Sequence, residues 1–325
     1  MALILYIFVF LISCLTIAYS GTWAVNSLIK TGAFLRWKKF IFIFFVLGLI
    51  FSLPEIFIGM SAAFSFKTEL ALGAIVGSNI ILFTLTIALI VFSEKTGKAL
   101  KFKGKALRRA MLFSFFYAFL PLILLLDGAL TRVDGVILIA SLGLYIKEFL
   151  SQQKRLKEKL IPELSKDSLK KHETKTALQA AGIFLLSMGL LGAGAWALVL
   201  SSARIFSYFG LPLFVAGSLI VALGISLLEM IFGAKAIILK QKEFIPGIIF
   251  SPVIISSTLA LGIALIISPI RQIYYFSPYT NVLVFTALAA LALLIFSKTG
   301  EEITRKQARI LLLIYALFFV IQLLV

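Results

Sequence analysis

This chain is short of the residues on which most soluble chemistry rests. Cys14 is its only cysteine, so no intrachain disulfide can form and no cysteine pair can hold a soft metal. His172 is its only histidine and lies in a polar stretch, where solvation accounts for it. Only 14 Asp and Glu stand against 31 Lys and Arg, and charged residues make up 14% of the chain. One sizeable hydrophilic segment, residues 151–175, interrupts the apolar text. About 25 residues cannot build an independent core, so it reads as a linker and not a domain. Neither an enzymatic activity nor a cofactor is expected of this chain.

Apolar sequence is what the chain has in excess: 61% of residues are hydrophobic and the mean hydropathy is +1.10. Runs of about 20 apolar residues predict membrane-spanning helices. Ten are expected, near 3–27, 40–65, 69–92, 107–127, 134–151, 176–201, 208–235, 245–268, 280–297 and 307–325. Residues 1–20 end in small residues as a signal peptide does, but lack a basic start, and are read as a span. The net charge of +17 raises nucleic acid as a partner, and its distribution argues against that. Basic residues crowd the connections after segments one, three, five, seven and nine. The remaining connections hold only Lys67, Arg132, Arg204 and Arg271. That alternation follows the positive-inside rule. It predicts a multi-pass protein of the plasma membrane, with both termini outside and the central loop cytoplasmic.

Two short stretches repeat one another. Ser52-Leu53-Pro54-Glu55 is followed by Gly59 and Ala62, and Ser226-Leu227-Leu228-Glu229 by Gly233 and Ala236. The offset between the two glutamates is 174 residues. The segments that follow also correspond, Ser78 lying in one and Ser251 in the other. Five spans per half is an odd number, so the halves enter the membrane from opposite sides. The expected fold is therefore an all-α membrane protein of ten transmembrane helices in two inverted five-helix repeats. The first repeat covers 1–151 with its motif at 52–82, the linker 152–175, and the second repeat 176–325 with its motif at 224–256.

A carboxylate at mid-membrane costs roughly 2.5–3.5 kcal/mol on insertion scales and marks a functional site by default. Ser and Glu three apart share a helix face. Pro54 has no N–H to give and crowds the carbonyl of Ile50, which frees that oxygen. Carboxylate, hydroxyl and carbonyl oxygens together suit a hard cation and not a soft metal. Gly59, Gly73, Gly77, Gly224, Gly233 and Gly247 are placed to let helices approach closely.

Through Ser52-Leu53-Pro54-Glu55 and Gly77-Ser78-Asn79-Ile80, and through Gly224, Ser226, Leu227, Glu229 and Ser251, the chain resembles the cation/calcium antiporter superfamily, in particular the sodium/calcium exchanger family. The resemblance implies that Glu55, Glu229, Ser52, Ser226, Ser78 and Ser251 bind the ion. It implies a secondary antiporter working by alternating access, with Ca2+ and Na+, or H+, as its inorganic substrates and the lipid bilayer as its surroundings. Departures accompany it. The family threonine is Phe51 and Ile225, the repeat-two proline is Leu228, and the family asparagine after Gly73 is Ala74. The family's Asn or Asp four residues beyond the repeat serine is Leu82 and Ile255. Three functions stay open: sodium/calcium exchange, proton/cation exchange on the same glutamates, and a non-transporting relative whose site has decayed. The first is the leading expectation.

Overall fold

The structure is a computed structural model that describes residues 2–34, 47–94, 100–101, 105–156, 173–238, 244–271, 277–299 and 302–324. His172 and most of the basic residues of the central loop lie outside the described residues. The described chain is helical apart from a two-residue antiparallel pairing of β1 (Leu100–Lys101) with β2 (Glu302–Ile303).

In chain order the helices are α1 (Ala2–Phe34), α2 (Leu47–Phe51), α3 (Leu53–Phe64), α4 (Thr68–Ile81), α5 (Ile87–Ser93), α6 (Lys105–Leu124) and α7 (Arg132–Leu156). After the central segment come α8 (Glu173–Tyr208), α9 (Leu213–Ala216), α10 (Ala222–Ile238), α11 (Ile245–Ile255), α12 (Leu261–Ile267), α13 (Ser277–Thr299) and α14 (Arg305–Leu323). Three pairs are joined without a break through π-helical turns: Leu82–Thr86 joins α4 to α5, Gly217–Val221 joins α9 to α10, and Ser256–Ala260 joins α11 to α12.

Among the described residues, eight helical stretches are long and apolar enough to cross a bilayer. They divide sharply by burial. In Thr68–Ser93, Leu213–Ile238 and Ile245–Ile267, between 78% and 89% of the apolar window is buried inside the protein, against 33% in Leu3–Ser27 and in Gln179–Tyr208. The first three are thus the protein's own core. The outer helices show the surroundings large apolar side chains such as Phe8, Leu11, Leu15, Leu185 and Trp196, all more than half exposed. Water would penalise such a surface, and lipid does not. α1 lies along α8, where Gly194 fits against Thr16 and Ile17.

The central crossing depends on small residues. Gly73 lies against the Phe214 carbonyl, Gly77 against the backbone of Ser218, and Gly217 against the Leu70 carbonyl. A β-carbon at any of the three would run into backbone, which cannot swing aside. Gly59 likewise faces the Ala260 carbonyl. Gly224 and Gly233 are close only to the side chains of Cys14 and Ile90. The 152–175 linker is shorter than expected, because α7 runs on to Leu156 and α8 begins at Glu173. Its ends carry Gln, Lys, Arg, Leu and Glu, all good helix formers, and 157–172 lie outside the described residues.

Candidate functional site

The first motif sits at a fracture. α2 ends at Phe51 and α3 starts at Leu53, with Ser52 between them at φ −83° and ψ −2°. Pro54, at the start of α3, supplies no N–H to Ile50. Ser52 is fully buried, and its hydroxyl donates to the Gly48 carbonyl (2.9 Å) and across the molecule to the Pro252 carbonyl (3.3 Å). Pro252 is itself inside α11 and has no N–H for the carbonyl of Ile248. Gly48 packs directly on Ser251. One motif thus meets the segment that follows the other.

Glu55 and Glu229 are 1% and 0% exposed. Among the described residues, none of their four carboxylate oxygens has a hydrogen-bond donor. The hydroxyls of Ser226 and Ser251 are also buried without a partner among the described residues. Ser78 differs from them: its hydroxyl donates to the Ile75 carbonyl at 2.9 Å, within its own helix. Buried polar atoms in native proteins are nearly always paired, so each exception calls for an explanation. Here six orphaned oxygens belong to four residues singled out by the duplicated sequence, and every one can coordinate a cation. Among the described residues, no group of three or more His, Cys, Asp or Glu could hold a metal. Carboxylate, hydroxyl and carbonyl oxygens of this kind suit a hard cation.

Further buried polar residues were not among the expected site residues, although Asn79 lies within the Gly77–Ile80 motif. Asn79 donates from Nδ2 to the Ser257 hydroxyl at 2.9 Å, joining the two halves, and its Oδ1 is unpartnered. Ser256, Ser257 and Thr258 form a fully buried polar run inside the π turn after α11. Gln322 on α14 donates to the Ser218 hydroxyl at 3.1 Å, beside the Gly77 crossing. The polar run was visible in the sequence as a hydroxyl cluster within an apolar stretch. The pairing of Asn79 with Ser257, 178 residues apart, carried no local signal.

The π turns also alter how the halves correspond. Leu82–Thr86 and Ser256–Ala260 stand 174 residues apart, the same offset as the glutamates. That register sets Ser256, and not Ile255, opposite Leu82. Ile255 belongs to an apolar cluster with Ala110, Tyr117, Leu142 and Tyr145.

Comparison with known proteins gives a consistent result. The family model described as sodium/calcium exchanger protein matches residues 5–147 and 179–324. CaxA of Alkalimonas amylolytica is 25% identical over 218 residues, covering 67% of each chain. Inner membrane protein YrbG of Escherichia coli (strain K12) is 24% identical over 243 residues, covering 74% of each. Among solved structures, the sodium-calcium exchanger NCX_Mj superposes with a TM-score of 0.65 at 18% identity, covering 97% of both chains. The H+/Ca2+ exchanger CAX superposes with a TM-score of 0.71 at 16% identity, covering 98% of this chain and 86% of its own. At such identities the two structures speak to the fold.

Proposed function

This chain belongs to the sodium/calcium exchanger protein family, and from that premise we propose that it is a secondary antiporter exchanging Ca2+ for Na+ across a membrane. The observation that carries the reading is the pair Glu55 and Glu229, fully buried with no donor among the described residues on any carboxylate oxygen. A buried anion is costly unless something offsets it, and a transported cation does so. Two carboxylates balance one divalent ion or two monovalent ones. They cannot hold both loads at once, and that exclusion couples the two fluxes. Ser52, Ser226, Ser78 and Ser251 add oxygen ligands around the pair.

The proposed frame is ten transmembrane helices in two inverted repeats, 1–151 and 176–325, with the site at the bilayer midplane and both termini outside. The common 174-residue offset of the glutamates and of the π turns supports it. Discontinuous helices at a repeat interface are a frequent transporter device, and α2/α3 broken at Ser52 is one. Alternating access follows if one half rocks against the other and opens the pair to each side in turn.

A second reading is exchange of H+ for a cation on the same glutamates. It is favoured by Leu82, which puts no oxygen where its counterpart Ser256 puts one, leaving fewer ligands for a second metal ion. Flux of radioactive calcium into proteoliposomes separates the two. Uptake driven by a sodium gradient alone supports the first reading, uptake driven by a pH gradient alone supports the second, and no uptake under either rejects both.

A further inference from the structure

Away from the glutamate pair, one end of the helix bundle holds a pocket of about 580 Å³. That size lies within the range usual for small-molecule sites. Its walls come from four separate parts of the chain: the turn between α3 and α4, the start of α7, the start of α9, and the end of α12 with residues 268–271. They are tied to one another. The Thr68 hydroxyl donates to the Ser268 carbonyl at 2.8 Å. Leu130 and Ile270 exchange both backbone hydrogen bonds, at 2.8 and 2.9 Å. Phe66, the one non-glycine residue at positive φ (55°) among the described residues, turns the chain so that Lys67 enters the lining.

The lining is cationic. Lys67, Arg132 and Arg271 converge there, with Glu69 as the only carboxylate. None of the three cations has an ion pair among the described residues. These connections carry very little charge, only four basic residues in all, yet three of the four meet in one pocket. The fourth, Arg204, lies near enough to act on Lys67. Burial first, and the Arg204 charge second, pull the Lys67 ammonium below its ordinary value. Glu69 offsets one charge and solvent screens the exposed guanidiniums, but the lining keeps a net positive charge that a bound anion would balance. The first turns of α4 and α7 also reach the lining, and their dipoles add positive potential.

We propose that this pocket binds an oxyanion, a phosphate or carboxylate group, either free in solution or carried on an acidic lipid headgroup. Arg132 and Arg271 supply the fork-shaped donors such groups accept from two nitrogens at once, and Lys67 supplies a point charge. The proposal is independent of what the glutamate pair transports, because a cation-repelling pocket cannot be the cation's own site.

The test uses the full chain and the Arg132→Gln/Arg271→Gln double variant, with Lys67→Gln as a second variant. Arg132 and Arg271 are exposed, so folding should survive, and a thermal melt checks it. Inorganic phosphate is titrated calorimetrically in detergent, and spin-labelled phosphatidylglycerol is compared with spin-labelled phosphatidylcholine in nanodiscs. Saturable phosphate binding that weakens about tenfold or more in the double variant supports the site with a free anion. Selective immobilisation of phosphatidylglycerol that disappears in the double variant supports it with a headgroup. Absence of both, or binding that the double variant and Lys67→Gln leave unchanged, overturns it.

Discussion

The two motif helices carry similar short sequences and differ in backbone. In the first repeat the helix breaks at the motif itself, between Phe51 and Leu53. In the second, α10 runs unbroken from Ala222 to Ile238 through Ser226 and Glu229. Position 54 against position 228 accounts for this. Pro54 withholds the N–H that Ile50 needs, whereas Leu228 keeps the N–H for Gly224. The second helix is loosened earlier, at the π turn Gly217–Val221, where no proline stands. The segments that follow diverge in the opposite sense. Their π turns keep the 174-residue register, but the first reads Leu82-Phe83-Thr84-Leu85-Thr86 and the second Ser256-Ser257-Thr258-Leu259-Ala260. The backbone irregularity falls at one common offset, while the side-chain oxygens of the two turns differ. Irregular turns of this kind gather at functional sites.

The largest effect expected concerns what the halves still share. Glu55→Gln and Glu229→Gln should each abolish cation exchange, at least 100-fold in initial flux, while leaving the protein folded. An amide keeps the shape, costs less to bury than a carboxylate, and removes the charge that offsets the cation. Proteoliposome flux with a detergent thermal melt as companion measures both. Retained transport in one variant and not the other would mean that the halves have diverged at the glutamates as well.

Next comes the crossing that holds the halves together. Gly77→Ala would drive a methyl into the Ser218 backbone. Overpacking costs typically about 1–3 kcal/mol, and the upper end is expected because backbone yields less than side chain. Gly224→Ala is the control, since it meets only the Cys14 sulfur and the Leu198 side chain. A melting temperature lowered much more by the first substitution than by the second is the expected result, and equal shifts would place the tight crossing elsewhere.

How far the sequence foretold this can be followed residue by residue. Hydropathy located the helices, because a 20-residue apolar run has few alternatives. Segment 280–297 is found within Ser277–Thr299, whereas the expected spans 134–151, inside the helix Arg132–Leu156, and 40–65 are not among the eight stretches long and apolar enough to cross. The ends ran longer than expected at 156 and 208, where polar and small residues continue a helix beyond its apolar stretch. The fracture at Ser52 was legible because proline acts locally. The π turns were not, since Leu82–Thr86 and Gly217–Val221 contain no breaker and an inserted residue leaves the composition unchanged. Within the candidate site, the deep burial of the glutamates followed from their rarity in apolar sequence. The partners of Asn79 and Gln322 did not, because each lies more than 100 residues away.

A smaller effect is expected from restoring the helix at the first motif. Pro54→Leu makes the first repeat resemble the second and returns an N–H to the Ile50 carbonyl. Ser52 already makes both helical backbone bonds, to Gly48 and from Ile56, so the change should tighten the turn around it and draw its hydroxyl away from the Pro252 carbonyl it now reaches at 3.3 Å. Transport should fall about tenfold, as one oxygen ligand is lost, equivalent to ~1.4 kcal/mol, while the melting temperature rises. A variant as active as the parent would show that the break is a relic of the duplication and that the carbonyl takes no part in holding the ion.

The finest distinction lies between two neighbouring positions of the second repeat. Where the side-chain oxygens of the two turns differ, the π-turn register identifies which position faces the ion. Ser256 is the counterpart of Leu82 and is fully buried beside Ser257, which Asn79 contacts. Ile255 is packed with Ala110, Tyr117, Leu142 and Tyr145. Ser256→Asp should therefore add a third carboxylate to the pair and tighten calcium binding, since affinity rises with ligand charge. Ile255→Asp buries a charge among apolar and aromatic groups, and should lower the melting temperature without tightening calcium. Leu82→Asn should give a milder gain in the first half, because an amide oxygen brings no charge. Calorimetric titration of calcium orders the three variants. If Ile255→Asp tightened binding and Ser256→Asp did not, the one-residue shift between the serine offset and the π-turn offset would have been resolved the wrong way, and the ion would sit against the other face of α11.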